Sequence, residues 1–327
     1  MSLRATILAT GSHVPARVLT NADLEKMVDT SDEWITSRTG IKTRHIAGPG
    51  EYTSILAAHA AQKALAAAGL GAADIDVLVV ATISAEMTMP SCACLVQKEI
   101  GAVNAFAFDV NAACSGFLYA LSVAEKQILA DPSLKILVIG AETLSSRVDW
   151  QDRNTCVLFG DAAGAVILGS SHRGDGLLAE KLFSDGSLYN LLYIDAAQSL
   201  NADLRNEDFQ GSSIKMAGRD VFKYAVKAME SAVQVVLDKA GVAVSEVSLV
   251  VPHQANIRII NKLGQKLGLD PEKIYINVSR YGNTSAATIP LALDEANRAG
   301  RLQSGDLVML CAFGGGFTWG ATLIKWQ

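Results

Sequence analysis

Short runs of consecutive apolar residues alternate along this chain with longer, helix-patterned stretches that close on glycine, the signature of buried strands joined by helices. The pattern occurs twice at a fixed, gap-free offset of 172 residues. Leu65, Ala68, Gly69 and Leu70 face Leu237, Ala240, Gly241 and Val242, and Asp74-Ile-Asp-Val-Leu-Val79 faces Glu246-Val-Ser-Leu-Val-Val251. The same shift lays Ile136-Leu-Val138 over Val308-Met-Leu310 and Ala120-Leu121 over Ala292-Leu293. Three separated segments agreeing on one register point to a duplicated unit. Each half is expected to be an α/β layer structure around a mainly parallel, almost wholly apolar sheet. The polar, glycine-rich stretch Gly169-Ser-Ser-His-Arg-Gly-Asp-Gly176 is the expected joint, giving halves 1–173 and 174–327.

Composition narrows the class. Half of the 327 residues are apolar and 19% are charged, which suits large buried elements and excludes a disordered chain. Nowhere do 18 apolar residues run together, and the opening Met1 to Thr10 lacks the apolar centre of a signal peptide, so a cytoplasmic protein without membrane contact is expected. The five cysteines, at 92, 94, 114, 156 and 311, form neither a secreted disulfide framework nor a set with zinc-ligand spacing. No metal is expected, nor a nicotinamide or flavin, since no Gly-x-Gly-x-x-Gly turn stands between a strand and a helix.

Candidate chemistry gathers where strands end. Phe106-Ala-Phe-Asp-Val-Asn-Ala-Ala-Cys114-Ser-Gly-Phe-Leu-Tyr-Ala-Leu121 reads as a strand, a tight turn of small residues and a helix. A thiol at the first helical turn meets unpaired N–H groups and the positive end of the helix dipole, both favouring thiolate; the plainer alternative is a small buried hydrophobe. The repeat places Cys114 over Ala286 in Tyr281-Gly-Asn283-Thr-Ser-Ala-Ala, so the second half keeps the turn without the sulfur. Two equivalent helices would then start close together about a local twofold, with a site between the halves. His253 ends the strand Val247-Ser-Leu-Val-Val-Pro-His253, the strand end where ligands collect in α/β sheets, although a lone histidine there also serves as an ordinary loop residue. Three glycines in Phe313-Gly-Gly-Gly-Phe317 either bring bare backbone N–H groups to an oxyanion or form a tight β-turn.

The segments Asp109-Val-Asn-Ala-Ala-Cys114-Ser-Gly-Phe, His253-Gln-Ala-Asn256, Gly282-Asn283-Thr-Ser-Ala and Phe313-Gly-Gly-Gly-Phe-Thr-Trp-Gly320 resemble those of the β-ketoacyl-acyl-carrier-protein synthase III family, of the thiolase-like condensing enzymes. Ser31-Asp-Glu-Trp-Ile-Thr-Ser-Arg-Thr-Gly-Ile41 and Phe159-Gly-Asp-Ala-Ala-Gly-Ala165 extend the resemblance essentially end to end. It implies a five-layered αβαβα fold of two similar halves, a homodimer, and an acyltransferase that starts type II fatty-acid synthesis by decarboxylative Claisen condensation of an acyl-CoA primer, acetyl-CoA by default, with malonyl-acyl carrier protein. No cofactor beyond these thioesters is implied. Cys114 would be the acylated nucleophile, the N–H groups of Cys114 and Gly315 the oxyanion hole, and His253 and Asn283 the donors that hold the malonyl-derived enolate. Trp34, Arg38, Arg153, Gly218, Phe222 and Asn256 stand at family positions for coenzyme A.

Net charge is −5, so overall attraction to an acidic carrier protein is not expected, and nucleic acid is not an expected partner. Basic residues nevertheless recur every fourth position, at Lys215, Arg219, Lys223 and Lys227 and again at Arg258, Lys262 and Lys266, giving two stripes wherever the chain is helical. Either stripe alone is as well explained as a solvated face; by resemblance Lys223, Arg258, Lys262 and Lys266 form the carrier-protein surface. Met89 stands where the family often has a phenylalanine reaching into the partner subunit's primer pocket, which leaves primer length open. The stretch Asp195 to Gln210 looks longer than is usual in the family, with a lid over the tunnel one possibility. Other condensing enzymes, such as hydroxymethylglutaryl-CoA synthase or those making quinolones or polyketides, a cysteine thioester hydrolase and a non-catalytic carrier-protein binding module are the alternatives.

Overall fold

A computed structural model describes residues 3–209 and 211–327. In chain order the first half contains β1 (Arg4–His13), β2 (Val18–Thr20), α1 (Asn21–Leu24), α2 (Asp32–Thr39), β3 (Thr43–His45), α3 (Thr53–Ala68), β4 (Val77–Ala81), α4 (Cys92–Ile100), β5 (Phe106–Val110), α5 (Gly116–Ala130), β6 (Ile136–Thr143) and β7 (Asp161–Ser171). There follow β8 (Gly176–Ser184), β9 (Leu192–Ile194), β10 (Ile214–Met216), α6 (Gly218–Ala240), β11 (Leu249–Pro252), α7 (Ile257–Leu267), α8 (Val278–Tyr281), α9 (Thr288–Arg298), β12 (Leu307–Gly314) and β13 (Thr318–Lys325).

Two sheets organise the molecule, one in the order β1-β7-β6-β4-β5 and the other β11-β12-β13-β8. Alternation along buried strands sorts the core into layers. Val77 and Val79 of β4 and Leu249 and Val251 of β11 face a central layer made by α5 and α9. Leu78 and Val80 point the opposite way, onto α3 and α4, while Val250 and Met309 point onto α6 and α7. Both faces of each sheet are covered, which is why the strands read as continuous apolar runs. This is the five-layered αβαβα thiolase-like fold. The central layer is tightly filled: Phe117, Leu118, Leu121 and Ile128 are buried, and truncating one such leucine to alanine costs about 2–5 kcal/mol.

The sheets are mixed rather than mainly parallel. β5, β4 and β6 run parallel, as do β11 and β12, but β7 is antiparallel to both β6 and β1, and β13 to both β12 and β8. Between β12 and β13 the cause is connection length: only three residues, 315–317, separate them, too few for a helical crossover. β7 runs to Ser171 and β8 starts at Gly176, so residues 172–175 link the two sheets.

The 172-residue register reappears in the elements. α3 and α6 end on Gly69 and Gly241, left-handed caps at φ 66° and 65°, and single 3-10 turns follow at 72–74 and 244–246. Short turns Ala113–Ser115 and Ser285–Ala287 precede α5 and α9, with Ala113 and Ser285 both in the left-handed region, at φ 45° and 49°. A Cβ on Gly116 would lie 3.7 Å from the Ala286 Cβ, so the two turns meet back to back at the centre.

Candidate active site

Cys114 sits in the middle of its turn, immediately before α5. β12 presses against it: a Cβ on Gly314 would stand 2.6 Å from the Cys114 nitrogen and 3.1 Å from its Cβ, so glycine is required there by close approach. Thr318 clasps the same loop through its hydroxyl, which donates to Ala112 O at 2.8 Å. The helix start favours thiolate, but burial opposes it and dominates, pushing the thiol up to about 12, with the Ser285 hydroxyl and the residue's own N–H acting the other way. Attack on a thioester therefore needs somewhere to put the thiol proton.

His253 follows β11, its N–H donating to Cys311 O at 2.8 Å, and its ring is almost fully buried. Burial depresses the imidazole to about 3, so the ring is neutral at ordinary pH. Its Nδ1 lies 2.7 Å from the Thr288 hydroxyl, which also reaches Ser285 O at 2.9 Å. That hydroxyl has one proton and two acceptors, Ser285 O and Nδ1; when it turns to Nδ1 the ring carries its own proton on Nε2, the tautomer in which a neutral histidine donates from Nε2.

Asn283 is fixed on both sides. Its N–H donates to Leu158 O at 2.8 Å and its carbonyl accepts from Gly160 N at 3.1 Å, while Gly282, at φ 66°, packs so tightly that a Cβ would meet Leu158 O at 2.7 Å. The buried Arg44 guanidinium braces the turn beside Leu158 through Val157 O and ties it to Leu19 O and Asn21 Oδ1. Because Asn283 Oδ1 accepts from Ser285 N at 2.9 Å, the amide nitrogen is the end left for a ligand oxygen.

Cys114, His253, Asn283 and Gly315 line one cavity of about 1000 Å³, together with Gly218, Phe222 and Asn256. Asn256 caps α7 through Arg258 N at 2.8 Å and donates to Arg38 O at 3.0 Å, tying α7 to α2. Trp34 lies outside the cavity lining, with the Arg38 and Arg153 guanidinium groups 4.8 and 5.2 Å from its ring centre. Arg258 approaches the Phe222 ring at 5.7 Å. The basic stripes lie on neighbouring helices: Arg219, Lys223 and Lys227 are exposed on α6, and Arg258, Lys262 and Lys266 on α7. Lys215 departs from the helical stripe, because it belongs to β10. Met89 is 85% exposed and does not line its own chain's cavity. Residues 195–209 lie in the loop of the β9–β10 hairpin, cinched by Gln198 and Asn206; Asp195 to Ala197 border the cavity and Leu200 projects into solvent, while Gln210 lies outside the described residues. Among the described residues no group of three His, Cys, Asp or Glu side chains is placed to hold a metal, and no helix is long and apolar enough to cross a membrane.

Family models match at residues 108–186, described as 3-oxoacyl-(acyl-carrier-protein) synthase III, and at 237–326, described as its C-terminal part. A β-ketoacyl-acyl-carrier-protein synthase III from Desulfotalea psychrophila is 57% identical over 324 residues, covering 99% of this chain and 100% of that protein. This chain belongs to the β-ketoacyl-acyl-carrier-protein synthase III family. The family's crystal structure from Aquifex aeolicus superposes with a TM-score of 0.92 at 49% identity, over 98% of this chain and all of the other. The priming β-ketosynthase of the R1128 polyketide pathway is similar at 33% identity and TM-score 0.91, over 99% and 96% of the two chains. The protein is thus an acyltransferase-type condensing enzyme of fatty-acid synthesis.

Sequence reasoning missed four residues around this synthase site. Gly314, Ser285 and Thr288 sit inside motifs read for their neighbours. Glu142 was signalled by a carboxylate within the apolar run Ile136-Leu-Val-Ile-Gly-Ala-Glu142, where a charge needs partners.

Proposed function

We propose that this protein condenses an acyl-CoA primer, acetyl-CoA by default, with malonyl-acyl carrier protein. The observation that carries the reading is the convergence of one sulfur, one neutral imidazole and one amide nitrogen on a single cavity. The Cys114 sulfur attacks the thioester carbonyl, the N–H groups of Cys114 and Gly315 hold the oxyanion, and coenzyme A leaves as its thiol, taking up the proton that the Cys114 thiol gives up. The malonyl thioester then enters; its carbonyl oxygen takes hydrogen bonds from His253 Nε2 and Asn283 Nδ2, the C–C bond to the carboxylate breaks, carbon dioxide departs and an enolate remains. Its carbon attacks the acyl-cysteine, and collapse releases a 3-ketoacyl thioester and the Cys114 thiolate, which takes one proton from solvent to restore the thiol. A neutral ring suits this chemistry, because the donors stabilise charge and need not remove a proton.

Trp34, Arg38 and Arg153 would receive the nucleotide of coenzyme A, and Gly218, Phe222 and Asn256 its pantetheine arm. Lys223, Arg258, Lys262 and Lys266 would receive the acidic carrier protein, as the shared basic face of α6 and α7 supports. A homodimer is supported by the apolar surface along edge strand β5, where Phe106, Val103 and Met87 are exposed, and Met89 would enter the partner's primer pocket. The division at 173/174, action in the cytoplasm and independence of any cofactor complete the reading.

Intact-protein mass measured after acetyl-CoA and then malonyl-acyl carrier protein tests it. The parent gains and then loses an acyl mass with release of carbon dioxide, and Cys114→Ser gains none. Loss of the acyl group to water without a malonyl donor would make the protein a hydrolase instead.

A further inference from the structure

Gln254 stands next to His253 but faces the other way: it is 1% exposed and lies outside the cavity lining, whereas His253 and Ala255 border the cavity. Its Nε2 donates to Pro252 O at 2.8 Å and to Tyr275 O at 3.0 Å, and its Oε1 accepts from Asn277 N at 3.0 Å and from Val278 N at 3.3 Å. Both donors and both lone pairs of the amide are thereby engaged. The bonds to Tyr275 and Asn277 have the pattern of a parallel ladder, in which one residue donates to the carbonyl before its partner and accepts from the N–H after it. Main-chain pairing already brings this segment alongside β11 at Val250 and Ile274, with Tyr275 N donating to Val250 O at 2.9 Å. Pro252 has no N–H to continue it, so the Gln254 side chain supplies the next rung.

The gripped segment leads straight to Asn283. Asn277 and Val278 begin α8, whose opening N–H groups have no acceptor within the helix and are given Gln254 Oε1 instead. Val278 O in turn accepts from Gly282 N at 2.9 Å, and Asn283 is the next residue. Elsewhere α8 is tied to the first half of the chain, by Lys42 N to Ser279 O at 2.9 Å and Thr43 Oγ1 to Arg280 O at 2.8 Å. The Cys114 turn hangs on different residues, Gly314 and Thr318. A buried carboxamide satisfied in full fixes the gap it spans from both sides, since lengthening or shortening that gap leaves polar groups unpaired.

We propose that Gln254 sets the spacing between the two donors that hold the malonyl-derived enolate. It joins the strand end that carries His253 to the short helix that delivers Asn283, and its amide fixes how the imidazole and the carboxamide stand to each other when both reach one oxygen. Gln254 touches neither substrate nor reacting atoms; it is a positioning residue. Its effect falls on carbon dioxide release and condensation and spares acylation, because the Cys114 turn is held elsewhere. The inference rests on the proposed roles of His253 and Asn283.

Two variants separate the length of the link from its bonds. Gln254→Asn keeps the amide but is one methylene shorter, about 1.5 Å, whereas Gln254→Met keeps the length and loses every hydrogen bond. Full-length parent, both variants and His253→Ala are compared in two assays, Cys114 acylation from acetyl-CoA by rapid quench and intact mass, and carbon dioxide release from malonyl-acyl carrier protein by acylated enzyme. In both Gln254 variants the kcat for carbon dioxide release should fall about 10- to 100-fold, with KM within about twofold and acylation within about threefold of the parent. Gln254→Asn decides the matter if Gln254→Met does not fold. A folded Gln254→Asn that releases carbon dioxide at the parent's rate, or loses both activities in equal proportion, overturns the spacing role, and so does failure of both variants to fold. A parent that takes no acyl group at Cys114, or a His253→Ala variant that matches the parent in carbon dioxide release, overturns the reading beneath it and the proposal with it.

Discussion

Gly314→Ala puts one methyl group where β12 meets the nucleophile's backbone. The added carbon would lie 2.6 Å from the Cys114 nitrogen, 3.1 Å from its Cβ and 3.1 Å from the Ser115 nitrogen, whereas ordinary contacts begin at 3.4 Å; strand and turn must separate by about 0.8 Å. All the opposing atoms belong to backbone or to the first side-chain carbon, so no rotamer change relieves them. Overpacking of this kind costs about 1–3 kcal/mol, and displacement of a reacting atom by about 1 Å costs about 100-fold in rate. We expect a melting point lower by a few degrees and Cys114 acylation slowed about 100-fold at saturating acetyl-CoA, measured by rapid-quench intact mass beside calorimetry. Gly320→Ala on β13, whose methyl meets Leu182 Cδ2 at 2.6 Å and Lys181 O at 2.8 Å rather than the cysteine, is the comparison. Acylation within twofold of the parent at an unchanged melting point would refute the claim that this close approach positions the sulfur.

Asn283→Asp keeps the oxygen that accepts from Ser285 N but loses the donor; carbon dioxide release from malonyl-acyl carrier protein should fall about 100- to 1000-fold while acylation from acetyl-CoA persists. Thr288→Val removes the partner of His253 Nδ1 inside a buried site, costing about 1–3 kcal/mol by calorimetry and slowing decarboxylation more than acylation. Burial raises Glu142 from 4.5 to about 7, so its folded state favours the proton; that stability is fully present below pH 4.5 and is lost as pH rises through about 7. The melting point of the parent should accordingly decline across that window relative to Glu142→Gln, and parallel melting curves at every pH would contradict it.

Much of the architecture was legible because duplication left a register: Gly69 and Gly241, or Ala113 and Ser285, keep their offset and their backbone conformation. The three side chains that converge on the cavity, Cys114, His253 and Asn283, stand out in the sequence by residue type. Strand direction was not legible, since an apolar run reads alike in parallel and antiparallel pairing, and only the three-residue link after β12 exposes the difference. Nor was the competition at Cys114: a helix start is visible in sequence, whereas the burial that outweighs it depends on segments two hundred residues away. Glu142 stands out as a carboxylate in an apolar strand, whereas the partners that hold it, Thr82, Ile83 and Ser84, come together with it only after folding.

The back-to-back turns carry one further consequence. Position 286, the twin of Cys114, is 1% exposed, and a Cβ on Gly140 would lie 2.2 Å from its carbonyl oxygen, so the second copy is walled in where the first borders the cavity. Of two like turns meeting at the centre, one presents a sulfur to the cavity and the other only packing, so on the proposed reading the pair would support a single reacting centre.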